Sequence, residues 1–89
     1  MKAVITVIGK DKIGIISEVT SVLAEKNANV LDISQTILQD YFTMIMIVEL
    51  EKMDIHFMEL KEKLEIVGKK IGMSVKIQHE DIFNAMHKI

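Results

Sequence analysis

Residues 8–31, IGKDKIGIISEVTSVLAEKNANVL, decide the fold of this 89-residue chain. They begin at the end of an apolar run, pass through a turn between Gly9 and Gly14 with unusual backbone needs, and enter an amphipathic helix at residues 15–26. The turn places backbone N–H groups and the carboxylate of Asp11 at the start of this helix, so a bound small molecule is expected there. The apolar stripe that packs the helix is Ile15, Ile16, Val19, Val22 and Leu23.

The patterns on either side predict the order βαββαβ followed by a tail helix. Two of the strands are apolar on both faces, which is typical of strands in the middle of a sheet. The strand after the first helix alternates imperfectly, with Leu31, Ile33 and Ile37 sharing one face with Gln35, and its polar content indicates an edge strand or one that faces a partner. Asp54 is the expected N-cap of the second helix and Gly72 its stop. The expected strands are residues 3–8, 30–38, 42–50 and 73–79, with a hairpin turn at residues 39–40.

This order predicts a ferredoxin-like α+β fold. Right-handed crossovers place both main helices on one face of a four-stranded antiparallel sheet, with the first and third strands in the centre. The expected organisation is one domain at residues 1–79 and a C-terminal helical extension at residues 80–89. A helix this short is marginal alone, so it is expected to dock on the open sheet face or on a partner subunit. Its apolar stripe is Ile82, Phe83, Met86 and Ile89.

Composition restricts the possible functions. The chain is 49% hydrophobic with a net charge of -2, so neither a nucleic acid nor a membrane surface is an expected partner, whereas self-association is. All eleven basic residues are Lys, which removes the arginine fork that grips phosphate at two points. There is no Cys, no signal-peptide pattern and no apolar run of membrane-spanning length, so we expect a cytoplasmic protein without disulfides.

No pattern in the sequence points to catalysis, to a cofactor or to a metal. The three histidines, His56, His79 and His87, lack zinc-site spacing and are interpreted as surface or tail residues. The serines lack a neighbouring His/Asp pattern, and GKDKIG matches neither a dinucleotide fingerprint nor a P-loop. A binding module is therefore favoured over an enzyme.

Residues 7–31, VIGKDKIGIISEVTSVLAEKNANVL, resemble the ACT domain, a small regulatory module found on many enzymes of amino-acid metabolism. In that family a strand is followed by Gly-x-Asp-x-Pro-Gly and an aliphatic helix that ends in Asn-Ile or Asn-Val. The chain is similar to the small stand-alone ACT proteins and to one half of the glycine cleavage system regulator. It departs from the pattern at Ile13, where the family usually has Pro, and at Gly9, where some serine-binding members have His.

The resemblance implies that a small effector, an amino acid or a related metabolite, binds between two copies of the domain in a homodimer or a larger homo-oligomer. The ligand would lie between the first loop of one domain and the adjoining strand of its neighbour. The matching positions are Asp11, Lys12, Gly14 and Ile15 in the loop, and Asn29 and Leu31 on the far side.

The residues alone also permit structural roles at these positions. Asp11 would then only cap the helix, Gly14 would only permit close packing of helix on strand, and Asn29 would only form the turn. The alternative function is a ligand-free interaction module that docks on an enzyme or a transcription factor through its apolar sheet.

Overall fold

The computed structural model of the protein describes residues 1–87, which form four strands and three helices in the predicted order. The strands make one antiparallel sheet in the order β2-β3-β1-β4, so the predicted ferredoxin-like βαββαβ fold with a C-terminal helix is confirmed. Ile89 of the predicted tail stripe lies outside the described residues. The elements are β1 (Lys2–Lys10), α1 (Ile15–Glu25), β2 (Asn29–Leu38), β3 (Tyr41–Glu49), α2 (Phe57–Ile71), β4 (Met73–His79) and α3 (Glu80–Met86).

The hydrophobic core lies between the sheet and the two main helices. β1 and β3 occupy the centre of the sheet, as their two-sided apolarity predicted, and β2 is an edge strand. α2 packs closely on β4 at Gly68, where a Cβ atom would lie 2.7 Å from the carbonyl oxygen of Met73 and 3.0 Å from Cγ2 of Val75. The largest fully buried side chains are Ile5, Leu23, Met44, Met46, Leu60, Leu64, Val7, Val19 and Val48.

α2 does not begin where the sequence predicted. Asp54 is not its N-cap, because the helix starts at Phe57 and the carboxylate of Asp54 instead accepts a hydrogen bond of 2.8 Å from the side-chain amide of Asn27. The backbone N–H of Asp54 also donates to the carbonyl of Lys26. These two bonds hold the segment before α2 against the end of α1. The predicted stop at Gly72 is confirmed, with φ 71°.

The two glycines of the first loop have different roles. Gly14 precedes α1 with φ 91°, a left-handed conformation that favours glycine. Gly9 does not belong to the turn, which corrects the prediction, because it lies within β1 opposite Phe42 and Met73. A Cβ at Gly9 would lie 2.5 Å from Sδ of Met73, so the small residue is needed for space.

The register of β2 against β3 shifts between Val30 and Asp32, which makes Leu31 a bulge residue. Val30 therefore packs against the core, and the predicted alternation applies only from Asp32 onward. The turn at residues 39–40 joins β2 to β3, with Gln39 at φ 55°. Within residues 1–87 no helix is long and apolar enough to span a membrane.

Candidate functional site

The predicted loop residues lie together around one concavity, here called the loop groove. It has a volume of about 650 Å³ and sits where the β1–α1 loop and the first turns of α1 face the far ends of β2 and β3. The sequence predicted the first four of its lining residues; of the other six, three lie further along α1 and three on β2 and β3. The lining residues are Asp11, Lys12, Gly14, Ile15, Ile16, Ser17, Thr20, Gln35, Ile37 and Phe42.

No side chain within residues 1–87 caps the start of α1 by a hydrogen bond. Asp11 is therefore not a helix cap; its backbone N–H donates to the carbonyl of Asp40 at 2.8 Å, which ties the loop to the β2–β3 hairpin. Gly14 is not needed for close packing either, because a Cβ there would meet no atom within 4 Å. The N–H groups of the first helical turn thus face the loop groove without a side-chain acceptor, beside the exposed side chains of Asp11 and Lys12.

Asn29 lies in a second concavity at the opposite end of α1, here called the helix-end groove. Its volume is about 820 Å³, and Thr20 in the middle of α1 lines both grooves. The 11 residues of α1 separate the ends by about 16 Å at 1.5 Å per residue, so one chain does not bring Asn29 beside Asp11. The helix-end groove is lined by Thr20, Ala24, Asn27, Ala28, Asn29, Val30, Glu49, Glu51 and Lys52.

Leu31 lines neither groove. As the bulge residue it is half-exposed at the edge of the sheet, next to the helix-end groove. Its exposed part lies on the free edge of β2.

The pKa of Glu49, which lines the helix-end groove, is shifted by its neighbours. The N-terminal ammonium group of Met1 donates to its carboxylate at 2.6 Å, and the backbone N–H of Glu51 donates at 3.0 Å. These contacts, the ammonium foremost, lower the pKa of Glu49 below its ordinary value. In the helix-end groove the carboxylate of Glu49 is therefore already bound by groups of its own chain, and Lys52 also lines this groove.

Some residues of the grooves were missed in the sequence. Gln35 is a polar residue on a face of β2 that is otherwise apolar, and this irregularity was a usable signal. Asn27, at the exit of α1, has φ 60° and lines the helix-end groove, but the sequence did not predict it as a groove residue. Thr20 and Glu49 carried no local signal, because they reach the grooves only through the packing of α1 and β3.

The histidines near α3 take part in packing. The ring of His79 stacks on Phe57 with centroids 4.0 Å apart, and that of His87 stacks on Phe83 at 4.2 Å. Nδ1 of His87 also lies 2.8 Å from the carbonyl oxygen of Phe83. Across residues 1–87 no three His, Asp or Glu side chains come together as metal ligands.

A four-stranded antiparallel sheet with the βαββαβ order places the chain in the class of small ferredoxin-like α+β domains. The family model of the ACT domain matches residues 2–78. The chain therefore belongs to the ACT domain family, whose members commonly act as regulatory modules that bind small effectors.

Similar proteins agree with this assignment. A UPF0237 protein of Clostridium acetobutylicum is 57% identical over 89 residues and is covered completely, as is this chain. An ACT domain protein from Streptococcus pneumoniae superposes with a TM-score of 0.82 at 42% identity, covering 98% of both chains. The regulatory subunit of aspartate kinase from Thermus thermophilus, in a ligand-free form, has a TM-score of 0.68 at 29% identity, with 86% of this chain and 50% of that chain covered.

Proposed function

We propose that this protein is a regulatory module without catalysis of its own, which binds an amino acid or a related metabolite at the interface of a homodimer. The observation that carries the proposal is the loop groove, where the uncapped start of α1 faces a cavity flanked by Asp11 and Lys12. The similarity to a regulatory subunit of aspartate kinase supports the same reading.

The groove offers complementary groups to a free amino acid. The first N–H groups of α1 and the ammonium of Lys12 suit its α-carboxylate, because helix N-termini favour anions. The carboxylate of Asp11 suits its α-ammonium group. Ile15 and Ile37 provide apolar surface for a side chain.

The second half of the site would come from another copy of the chain. β2 is a free edge, and Ile33 and Ile37 are exposed on its helix-facing side. Two β2 edges paired antiparallel about a two-fold axis bring the Asn29 end of one copy beside the Leu38 end of the other. Each loop groove then adjoins the helix-end groove of the second copy, and Leu31 points toward the junction.

A ligand that bridges two copies in this way acts by stabilising the pair. It binds the assembled form better than the separate chains, so its concentration shifts the equilibrium toward the dimer. An attached or interacting enzyme would then respond to the fraction of the protein that is dimeric.

An amide NMR titration with pooled amino acids tests the proposal. We expect saturable shifts at Asp11, Gly14, Ile15 and Asn29 with one pool, and a dimer that tightens in the same titration. Asp11→Asn should weaken binding by about tenfold or more, through loss of a charge-assisted hydrogen bond. Glu62→Gln, which removes an exposed carboxylate on α2, is the matched control and should leave affinity unchanged.

Two results would refute this function. If no resonance in either groove moves with any metabolite, the loop is structural here and the protein is a ligand-free docking module. If binding survives Asp11→Asn unchanged, the ligand does not use the loop groove.

A further inference from the structure

The face of the sheet turned away from α1 and α2, here called the open face, is only partly covered. Covering comes from α3, which contacts β1 and β4. The side-chain amide of Gln78 donates to Sδ of Met86 at 3.1 Å, so α3 folds back over this face rather than extending from it. The residues of the open face that matter here are Val4, Ile8 and Lys10 of β1, Tyr41 of β3, and Lys76 and Gln78 of β4.

Two residues of β1 show what α3 covers and what it leaves free. Val4 and Ile8 point to the same side of the same strand, four residues apart. Val4, which pairs with Gln78 beneath α3, is 5% exposed although it lies outside the main core. Ile8, at the other end, is 53% exposed. The open face therefore has one end that a helix already covers and a similar end without a cover.

α3 in turn keeps much of its apolar surface exposed, although Met86 also contacts Gln78. Ile82 is 51% exposed and Met86 is 63% exposed, and α3 has no fully buried residue. A helix of seven residues is not stable on its own, so it needs packing on more than one side. The chain thus exposes two apolar surfaces, the end of the open face around Ile8 and the outer side of α3.

Charge makes these two surfaces complementary. The first turn of α3 carries Glu80 and Asp81. The uncovered end carries Lys10, whose ammonium lies 5.6 Å from the ring centroid of Tyr41, and Lys76 lies in the middle of the neighbouring strand. The acidic start of α3 and the two lysines of the open face can therefore pair when two copies meet, with Lys10 the one at the uncovered end, where Asp11 and Asp40 also lie.

We propose that the open face binds the open face of a second copy, with α3 of each chain packed on the uncovered end of the other. A two-fold axis between the sheets, perpendicular to their strands, exchanges the two ends of β1 and satisfies both contacts at once. Ile82 and Met86 then contact Ile8 of the second copy, and Asp81 approaches its Lys10.

The area is of the size that such an interface needs. Four strands about 4.8 Å apart, with nine residues of about 3.4 Å each, give this side of each copy a footprint of roughly 600 Å², part of which is the outer side of α3. Stable interfaces bury about 800 Å² per partner, so the proposed contact would use nearly all of this side. This surface is separate from the free edge of β2, so edge pairing and face pairing together build a tetramer of four 10.1 kDa chains, about 40 kDa.

Sedimentation equilibrium of the full chain tests the proposal. Ile8→Lys and Ile82→Lys should each halve the assembly mass and raise the dissociation constant of the face interface by about 30-fold or more, because each buries an unpaired charge. Ile66→Lys makes the same change at a 66% exposed position of α2 and should have no effect. Circular dichroism confirms that each variant is folded.

A charge exchange tests the orientation. Asp81→Lys should weaken face pairing by about tenfold, and Lys10→Asp in the same chain should restore it, because the two residues approach each other across the two-fold axis. Weakening of α3 itself by Asp81→Lys would not be repaired by a change on β1. Absence of rescue would overturn this orientation.

The outcome separates this inference from the proposed function. If only Ile37→Lys on the edge strand reduces the mass and Ile8→Lys leaves it unchanged, face pairing is refuted while edge pairing and ligand binding stand. If Ile8→Lys halves the mass and ligand titration still moves the loop groove, both hold.

Discussion

Replacing Gly68 by Ala sets two opposing effects against each other. In an exposed helix the change stabilises by about 0.8–1.0 kcal/mol, because glycine has the greater freedom to lose. Here the new Cβ would lie 2.7 Å from the carbonyl oxygen of Met73 and 3.0 Å from Cγ2 of Val75. A backbone oxygen within a strand cannot rotate away, so α2 must shift from β4. Overpacking of this kind costs about 1–3 kcal/mol.

The clash should exceed the gain in helix propensity, and we expect Gly68→Ala to destabilise the protein by about 1–2 kcal/mol. With a urea m-value of about 1 kcal/mol/M for a small chain, the midpoint should fall by about 1–2 M. Protein concentration must be held constant, because association contributes to apparent stability. Ser21→Ala, at an exposed position of α1, is the control and should gain about 0.5 kcal/mol.

A Gly68→Ala variant more stable than wild type would refute the reasoning. The gain in helix propensity would then exceed the cost of the clash, and α2 could move away from β4 at a smaller cost than the distances indicate. An unchanged midpoint with a changed m-value would instead signal an altered denatured state.

Three further predictions concern the backbone and one ion pair. Gly9→Ala should cost about 1 kcal/mol, less than a clash with backbone, because Sδ of Met73 belongs to a flexible side chain, and the Gly9→Ala/Met73→Ala double variant should lose less than the sum of the two single losses in a double-mutant cycle in urea. Asn27→Ala should be less stable than Asn27→Gly by about 1 kcal/mol in thermal unfolding, because φ at this position is 60°. The pKa of Glu49 should lie below its ordinary value in a carboxyl NMR titration and return to it when the amine of Met1 is acetylated. Because this pKa is lowered on folding, the contribution of Glu49 is present above the ordinary pKa and is lost as pH falls through the lowered one.

Each of these has a result that contradicts it. Additive losses in the Gly9 and Met73 cycle would mean that the two residues do not interact. Equal stability of Asn27→Ala and Asn27→Gly would mean that the backbone relaxes out of the left-handed region. A pKa of Glu49 that is unmoved by acetylation would assign the shift to the backbone N–H groups alone.

Much of the fold could be predicted because its signals are local. The two-sided apolarity of residues 3–8 and 42–50 placed both strands in the centre, and the strict alternation of residues 73–79 gave the bounds of β4. The start of α2 could not be predicted in this way. Asp54 has a strong local preference for capping, but a long-range bond to Asn27 uses its carboxylate instead.

The candidate site was predictable to the same extent. The loop half is contiguous in sequence, so Asp11, Lys12, Gly14 and Ile15 could be grouped before their geometry was known. The roles considered for Asp11 and Gly14 as cap and packing residue were wrong, because cap geometry and free space depend on backbone angles that residue types do not fix. Gln35 and Phe42 enter the groove through strand pairing, for which one sequence contains no local motif.

The bulge at Leu31 also fixes where a second strand can be added. It limits the regular part of the free edge to the seven residues from Asp32 to Leu38, and the midpoint of that stretch is Gln35. An antiparallel copy related by two-fold symmetry is therefore centred on Gln35, which places Ile33 of each chain directly opposite Ile37 of the other. A slip of two residues in either direction would break both pairs and set one isoleucine of each chain opposite Gln35. The single bulge residue thus favours one register, in which β2 of one copy pairs with β2 of another.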